Sequence, residues 1–200
     1  LIELALEQAA VAGVEVHVLI RPRAGGFHYA PDELDVAGRD VRGAVRAGAH
    51  GVVFGALAGT GALDRAATAA LMDAAGAASV TLHRAIDLTP DPVATLRAAR
   101  DLGLRRILTS GGASAAIDGA DTLRALVAEA AGAIEVMAGG GVNAASAPAL
   151  AALGVDALHF SAKRTVREPD GIRLGSADSS GGGYETTDPD AARAIAAALA

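Results

Sequence analysis

The chain has 200 residues, a formal net charge of -6 and an apolar fraction of 52%. It has no long run of basic residues, so neither nucleic acid nor an anionic membrane is an expected partner. It has no cysteine, which excludes disulfide bonds and thiolate metal ligands within these residues and favours the cytoplasm. No apolar segment reaches the roughly 18 residues that a membrane-spanning helix needs.

The first element is a helical segment, LIELALEQAAVAG, at residues 1–13. Because the chain starts inside this element and not at a methionine, we expect upstream residues to be missing from this sequence. Short β-branched runs then alternate with Ala- and Leu-rich stretches of helical spacing, the pattern of parallel strands joined by crossover helices. The six strand candidates are 14–20, 51–55, 79–85, 106–110, 134–138 and 157–161.

Local signals mark several helix starts. Pro31 with the acids Asp32 and Glu33 opens one helix, and Pro92 lies in the first turn of another that is capped by Thr89 or Asp91. The segment TTDPDAARAIAAALA predicts a last helix at the end of the chain. Before it, residues 165–187 are rich in Gly, Ser and Asp without a period and are predicted to be a flexible loop.

Two architectures suit six strand-helix units, an open doubly wound sheet and a closed β/α barrel. Six strands cannot close a barrel, but two more strands upstream of Leu1 would make eight. We therefore predict a (β/α)8 barrel of the TIM type, a single domain over residues 1–200, with about six of the eight strands present.

In such folds the ligand binds at the carboxyl ends of the strands. Arg21 and Arg23 flank Pro22 at the first strand end, and their guanidinium groups suit a carboxylate or a phosphate. The structural alternative is that one or both pair with Asp87 or another acid of the barrel.

His83 and Asp87 follow the third strand and are the candidate proton carriers. Alternation along VTLHRA places Thr81 and His83 on one face and Arg84 on the other. A hydrogen-bonded histidine inside the barrel is the plainer interpretation of His83. The same ambiguity applies to His159, while His17 and His28 suggest no ligand spacing. The chain has no HxH, HExxH or cysteine-pair motif, so metal ligands stay unknown.

Two glycine-rich turns follow later strands, TSGGAS and AGGGVNAAS. Such turns free backbone N–H groups at a helix start, where an anion is favoured. The last strand ends in FSAKR, which adds a hydroxyl and basic groups nearby. The predicted anion-binding set is Arg21, Arg23, Arg84, Ser110, Gly111, Gly112, Gly139, Gly140, Gly141, Ser161 and Lys163.

The ordered set VHVLIRPRAGGFHY, GVVFGAL, VTLHRAID, RILTSGG, VMAGGGVNAAS and LHFSAKR resembles the CutC family, known as copper homeostasis proteins. The resemblance covers roughly residues 1–164. It implies a cytoplasmic β/α barrel, usually a homo-oligomer, and an association with copper. It also implies an upstream strand-helix-strand unit, in which family members often carry a cysteine. The motif residues acquire no catalytic role from the resemblance.

Two functional hypotheses follow, and a third concerns the chain itself. The first is a CutC-like cytosolic protein of copper homeostasis, with copper binding as one form of that role and soft ligands preferred for Cu(I). The second is a barrel enzyme or binding protein for a small phosphorylated or carboxylated ligand held at the strand ends. The third is that six strands with two open edges do not fold stably alone.

Overall fold

The computed structural model describes residues 1–167 and 183–200. In these residues strands and helices alternate as the sequence predicts. The strands are β1 (His17–Leu19), β2 (Gly51–Phe54), β3 (Ser79–Leu82), β4 (Arg106–Thr109), β5 (Glu135–Gly139), β6 (Ala157–His159), β7 (Lys163–Arg167) and β8 (Gly183–Thr187). The helices are α1 (Ile2–Ala12), α2 (Pro31–Arg46), α3 (Arg65–Ala75), α4 (Pro92–Asp101), α5 (Ala120–Ala130), α6 (Ala147–Ala151) and α7 (Pro189–Ala197). Two 3-10 turns lie at Arg84–Leu88 and Ala116–Gly119.

The first six strands form one parallel sheet in the order β1-β2-β3-β4-β5-β6. Each strand pairs with the next in sequence, for example Val52 with Val80 and Leu108 with Met137. A doubly wound sheet would reverse its strand order at a switch point, and this sheet does not. The sheet curls into a partial (β/α)8 barrel, which confirms the predicted fold class.

The helix starts follow from local chemistry. Pro31 lies in the first turn of α2, where the carboxylate of Glu33 accepts the N–H of Ala30 at 2.7 Å. Asp91 caps α4 by accepting the N–H of Ala94 at 2.9 Å, so it and not Thr89 is the cap. Each such cap stabilises its helix by about 1 kcal/mol. Within the described part of the chain, no helix combines the length and the apolar character needed to cross a bilayer.

The core lies between the outer face of the sheet and the helices. Val80, Leu82 and Ile107 point outward from their strands and are at most 2% exposed. They pack with helix residues such as Leu96 and Leu126. The other face carries the alternate residues of the same strands and forms the barrel interior. The two-residue period therefore separates a packed core from a concave surface.

The prediction of a loop over residues 165–187 is wrong for both ends of that segment, which are strands. β7 and β8 form an antiparallel ribbon with Thr165 opposite Glu185 and Arg164 opposite Thr186. β-branched residues favour strands, and the ion pair between Lys163 and Glu185 at 2.6 Å crosses the ribbon. The middle of the predicted loop, 168–182, lies outside the described residues.

Candidate functional site

An interior cavity of about 430 Å³ lies on the concave face of the sheet. Its apolar wall is formed by interior-facing strand residues such as Val53, Leu108 and Met137. Its polar wall includes Thr81 and His83, which the sequence places on one face of β3. The cavity is therefore mostly apolar with a few polar groups, the usual character of a small-molecule site.

A second cavity of about 540 Å³ lies at the ends of β5 and β6, and we call it the mouth cavity. It brings together five residues of the predicted anion set. They are Arg84, Gly140, Gly141, Ser161 and Lys163. Arg84, Leu108 and His159 line both cavities, so the two are adjacent.

Arg84 reaches these cavities because β3 ends earlier than the sequence pattern predicts. The strand stops at Leu82 and a 3-10 turn begins at Arg84. The prediction that Arg84 faces away from His83 is therefore wrong, since strand alternation no longer applies after Leu82. Both side chains line the interior cavity.

The Arg84 guanidinium is held in place by two side chains. Its Nε donates to Asp87 Oδ2 at 2.7 Å, and its Nη2 donates to Ser110 Oγ at 2.7 Å. The side chain of Arg84 is 41% exposed while that of Asp87 is 6% exposed. The fixed end of the guanidinium thus faces the protein, and the group as a whole lies at the cavity wall.

Asp87 organises the turn after β4. Its carboxylate accepts hydrogen bonds from Thr109 Oγ1, from the N–H of Ser110 at 3.0 Å and from the N–H of Gly112 at 3.2 Å. The N–H of Gly111 donates to Thr109 Oγ1 at 2.9 Å. The expectation that the TSGG turn offers its N–H groups to an external anion is therefore wrong for these three amides, because protein oxygens occupy them.

The turn after β5 differs from the expectation only at the start of the helix that follows it. Asn143 Oδ1 accepts the N–H groups of Ala145 and Ser146 at 3.0 and 3.1 Å. The helix that follows, α6, has only five residues. The amides of Ala145 and Ser146 at the start of this short helix are therefore paired within the protein. Among the described residues the N–H groups of Gly140 and Gly141 donate no hydrogen bond, so anion binding by these two amides stays a prediction.

The glycine triplet is required by close approaches. A Cβ on Gly139 would overlap Leu108 of the neighbouring strand. Gly140 has φ +121°, and a Cβ there would lie 3.1 Å from Arg84 Nη1. Gly141 has φ +64°, which disfavours other residues. Gly140 therefore lets the guanidinium of Arg84 lie directly on the backbone of the turn.

Arg21 and Arg23 have different surroundings. Arg23 forms an ion pair with Glu33 and donates to the carbonyl oxygens of Gly26 and His28 at 3.0 and 2.7 Å. This is the structural alternative that the sequence leaves open. Arg21 lines the interior cavity, donates to the carbonyl of Gly25 at 2.7 Å and stacks over Phe27 at 5.0 Å. No carboxylate pairs with Arg21 among the described residues.

His83 is buried, with 7% of its surface exposed. Its Nδ1 accepts the N–H of Ala85 at 3.2 Å, and its ring lies 4.6 Å from that of Phe27, centroid to centroid. Burial lowers the pKa of His83 to about 4, and the charge of Arg21 acts in the same direction. The imidazole is therefore neutral at pH 7, with its proton on Nε2.

The remaining candidate residues are Lys163 and three histidines. Lys163 is half exposed and paired with Glu185, so its charge is shared with the ribbon. His159 lies on β6, and partial burial together with the charge of Arg84 lowers its pKa. His17 bonds Glu15 at 3.0 Å and His28 bonds the carbonyl of Leu57 at 3.2 Å, as expected for structural histidines.

Sequence reasoning missed three contributors. Phe27 packs on both Arg21 and His83, and Thr109 completes the Asp87 contacts. Thr81 is 2% exposed, lines the interior cavity and has an Oγ1 without a partner in the described residues. A hydroxyl on the interior face of β3, two residues before His83, was the available signal for Thr81.

The donor set of the described residues does not fit a copper ion. The described residues hold no group of three His, Cys, Asp or Glu side chains that could bind a metal. The whole chain has no cysteine and two methionines. Cu(I) prefers such soft sulfur ligands. The cavity walls offer cationic and hydrogen-bond-donating groups instead.

Comparison with known proteins agrees with the motifs. The family model of the CutC family matches residues 2–164. A CutC family protein of Xylella fastidiosa (strain Temecula1) is 43% identical over 186 residues, which are 91% of this chain and 68% of that protein. The corresponding protein of Agrobacterium fabrum (strain C58) is 41% identical over 191 residues, 95% of this chain and 76% of that one.

Solved structures give the same result. The crystal structure of CutC from Streptococcus agalactiae, whose name carries a proposed role in copper homeostasis, superposes with a TM-score of 0.76. It is 31% identical and covers 79% of this chain and 78% of that chain. An aldolase named QR15 superposes with a TM-score of 0.61 at 20% identity over 78% of this chain and 72% of its own, which reflects the shared fold alone. By sequence and by structure, the chain belongs to the CutC family.

Proposed function

We propose that this CutC-family protein binds a small phosphorylated or carboxylated molecule at the strand ends, in a cellular role associated with copper homeostasis. The copper association comes from the name of the Streptococcus agalactiae relative and from the resemblance of the motifs. The direct ligand is inferred from the site. In this proposal the ligand of the barrel is the organic anion and not the metal ion.

The observation that carries the proposal is the setting of Arg84. Its guanidinium lies against Gly140 at the wall of the mouth cavity, and Asp87 and Ser110 fix its direction. A fixed guanidinium loses little conformational entropy when it binds an oxyanion. Ser161 and Lys163 line the same cavity and add a hydroxyl and a second cation.

The geometry favours binding over proton transfer. Asp87 is occupied by donors from the turn after β4, and His83 is neutral with its Nδ1 already engaged. Neither group is free to shuttle a proton in the way the sequence suggests. We therefore propose a binding function and assign no reaction.

Cytoplasmic location and homo-oligomerisation belong to the same proposal. The absence of cysteine from the chain suits a reducing compartment. Large apolar side chains in and just after α1 are exposed, for example Leu4, Val11 and Val14, which suits contact with a second copy. Light scattering coupled to size-exclusion chromatography measures the assembly, and a monomer at all concentrations would contradict it.

The proposal is tested by isothermal titration of the protein with inorganic phosphate at constant ionic strength. We expect binding that weakens at least about ten-fold in Arg84→Gln, the loss of a charged hydrogen-bond donor. Arg39→Gln is the matched control, because Arg39 is exposed and, among the described residues, forms an ion pair only with Asp35 one helical turn away.

A parallel titration with Cu(I) separates the two ligands. We expect no copper binding beyond that of an unrelated barrel protein. Stoichiometric Cu(I) binding that survives a chelator, or phosphate binding that is equal in Arg84→Gln and Arg39→Gln, would contradict the proposed ligand.

A further inference from the structure

Three hydrogen-bond donors of the interior cavity, on His83, Thr81 and Arg21, take no part in the anion site of the mouth cavity. His83 and Thr81 are 7% and 2% exposed and face the same cavity from β3. His83 Nε2 and Thr81 Oγ1 both lack a hydrogen-bond partner in the described residues. Leaving a buried polar group unpaired costs about 1 to 3 kcal/mol. Two such groups on one cavity wall point to an oxygen-bearing ligand there.

The backbone N–H of Ala85 determines which ring nitrogen of His83 carries the proton. The N–H of Ala85 can only donate, so the Nδ1 that accepts it carries no proton. A neutral imidazole then has its proton on Nε2, which makes Nε2 a donor. Packing against Phe27 holds the ring in this position. Gly55 permits it, because a Cβ there would lie 2.7 Å from His83 Nδ1 and Cε1.

Arg21 supplies charge to the same wall. It lines the cavity, and its guanidinium lies over the ring of Phe27, which also packs on His83. Its neighbour Arg23 is paired with Glu33, whereas no carboxylate pairs with Arg21 in the described residues. A cation together with two neutral donors suits a carboxylate better than a carbonyl or a hydroxyl group.

We propose that the ligand of this protein is a small molecule with an anionic group at each end, and that its second end is a carboxylate bound by His83, Thr81 and Arg21. The inference rests on the proposed function, because the first end is the anion at Arg84. The shared walls of the two cavities, Arg84, Leu108 and His159, allow one molecule to occupy both. Leu108, which lines both cavities, and Met137, which lines the interior one, contact its carbon chain.

The test compares phosphonates that differ only at the second end. Phosphonoacetate, 3-phosphonopropionate and 4-phosphonobutyrate are titrated beside ethyl-, propyl- and butylphosphonate, which replace the carboxylate by a methyl group. We expect the carboxylate member of at least one pair to bind ten-fold or more tightly. Arg21→Gln and His83→Leu should remove this preference and leave the affinity for the alkylphosphonate unchanged. His83→Gln, which keeps a neutral N–H donor, should retain part of the preference.

The outcomes separate this inference from the proposed function. Equal affinities in all three pairs, with Arg84-dependent binding of every phosphonate, would overturn the second end and leave the anion site standing. No binding of any phosphonate would overturn both. If His83→Leu fails to fold, Arg21→Gln decides, since its side chain is exposed and bonds one carbonyl.

The pH profile tests the assignment of His83 as a neutral donor. The preference for the carboxylate member should stay constant between pH 8 and pH 5.5, since Nε2 carries its proton throughout. A preference that appears only as the pH falls below about 6.5, the ordinary pKa of histidine, would require an imidazolium and would overturn the assignment.

Discussion

Two polar clusters lie side by side at the carboxyl end of β3, and they differ in how completely they are hydrogen-bonded. The Asp87 cluster consists of Arg84, Asp87, Thr109 and Ser110, whose side chains all bond one another or the turn after β4. The His83 cluster consists of Arg21, Thr81 and His83, which keeps unpaired donors among the described residues. The closed cluster fixes the direction of Arg84 at the mouth cavity, and the open cluster retains unpaired donors that can bind a second group. This difference between scaffold and binding wall can be tested by substitution.

The largest effect is expected for Asp87→Ala. It leaves the buried amide of Ser110 and the hydroxyl of Thr109 without their acceptor and frees Arg84. We expect the free energy of unfolding to fall by about 3 kcal/mol in urea denaturation. Asp35→Ala, which removes an exposed pair with Arg39, should leave it nearly unchanged. Equal losses in the two variants would show that the Asp87 cluster is not a scaffold.

The turn held by Asp87 offers a matched pair of glycines. Gly111 and Gly112 both have positive φ, +71° and +78°. A Cβ on Gly111 would also overlap the carbonyl oxygen of Gly119, while one on Gly112 has 3.8 Å of space. We expect a loss of at least about 2 kcal/mol for Gly111→Ala and about 1 kcal/mol for Gly112→Ala, measured by denaturation. The reverse order would mean that the turn relaxes around Gly119.

The pH dependence of stability tests the open cluster. Burial lowers the pKa of His83 from 6.5 to about 4, so the unfolded chain binds a proton below pH 6.5 that the folded chain does not. The stability present above pH 6.5 is therefore lost as the pH falls toward 4. Between pH 7 and pH 5 the wild-type protein should lose about 2 kcal/mol more than His83→Gln. Parallel curves for the two proteins would show that His83 is solvated.

The smallest expected change in the free energy of unfolding concerns two buried threonines. Thr109 donates to Asp87 and accepts from Gly111, whereas Thr81 Oγ1 has no partner in the described residues. Thr109→Val should lower the free energy of unfolding by about 1 kcal/mol, and Thr81→Val should leave it unchanged or slightly higher. Calorimetric melting of both variants measures this. A destabilised Thr81→Val would place Thr81 in the closed cluster.

Much of the fold can be predicted from the sequence because the two-residue period of the strands and the 3.6-residue period of the helices are both strong. Alternation in VTL and RIL and the caps at Pro31 and Asp91 each act locally, so they are visible without the structure. The two-stranded ribbon was missed because its two short strands lie at opposite ends of the segment that was predicted to be a loop. The strand order followed from the repeat of parallel units.

The site could be predicted only in part. Position after a strand identified Arg84, Gly140 and Lys163, and the structure gathers them at one cavity. The separate fates of Arg21 and Arg23 depend on Glu33, ten residues further along the chain, which no spacing rule singles out. The role of Asp87 also depends on a long-range contact, since its partners lie on the next strand.

The Asp87 carboxylate also has a consequence for motion. One side chain accepts the amides of Ser110 and Gly112 and the guanidinium of Arg84, so it links the end of β3 to the end of β4. These amides can exchange with deuterated solvent only when the carboxylate leaves them. Ser110 and Gly112 should therefore exchange at a common slow rate, together with the opening that releases Arg84 from its fixed direction. The residence time of an anion bound to Arg84 would then depend on the local opening of the turn after β4, because Asp87 joins that turn to Arg84.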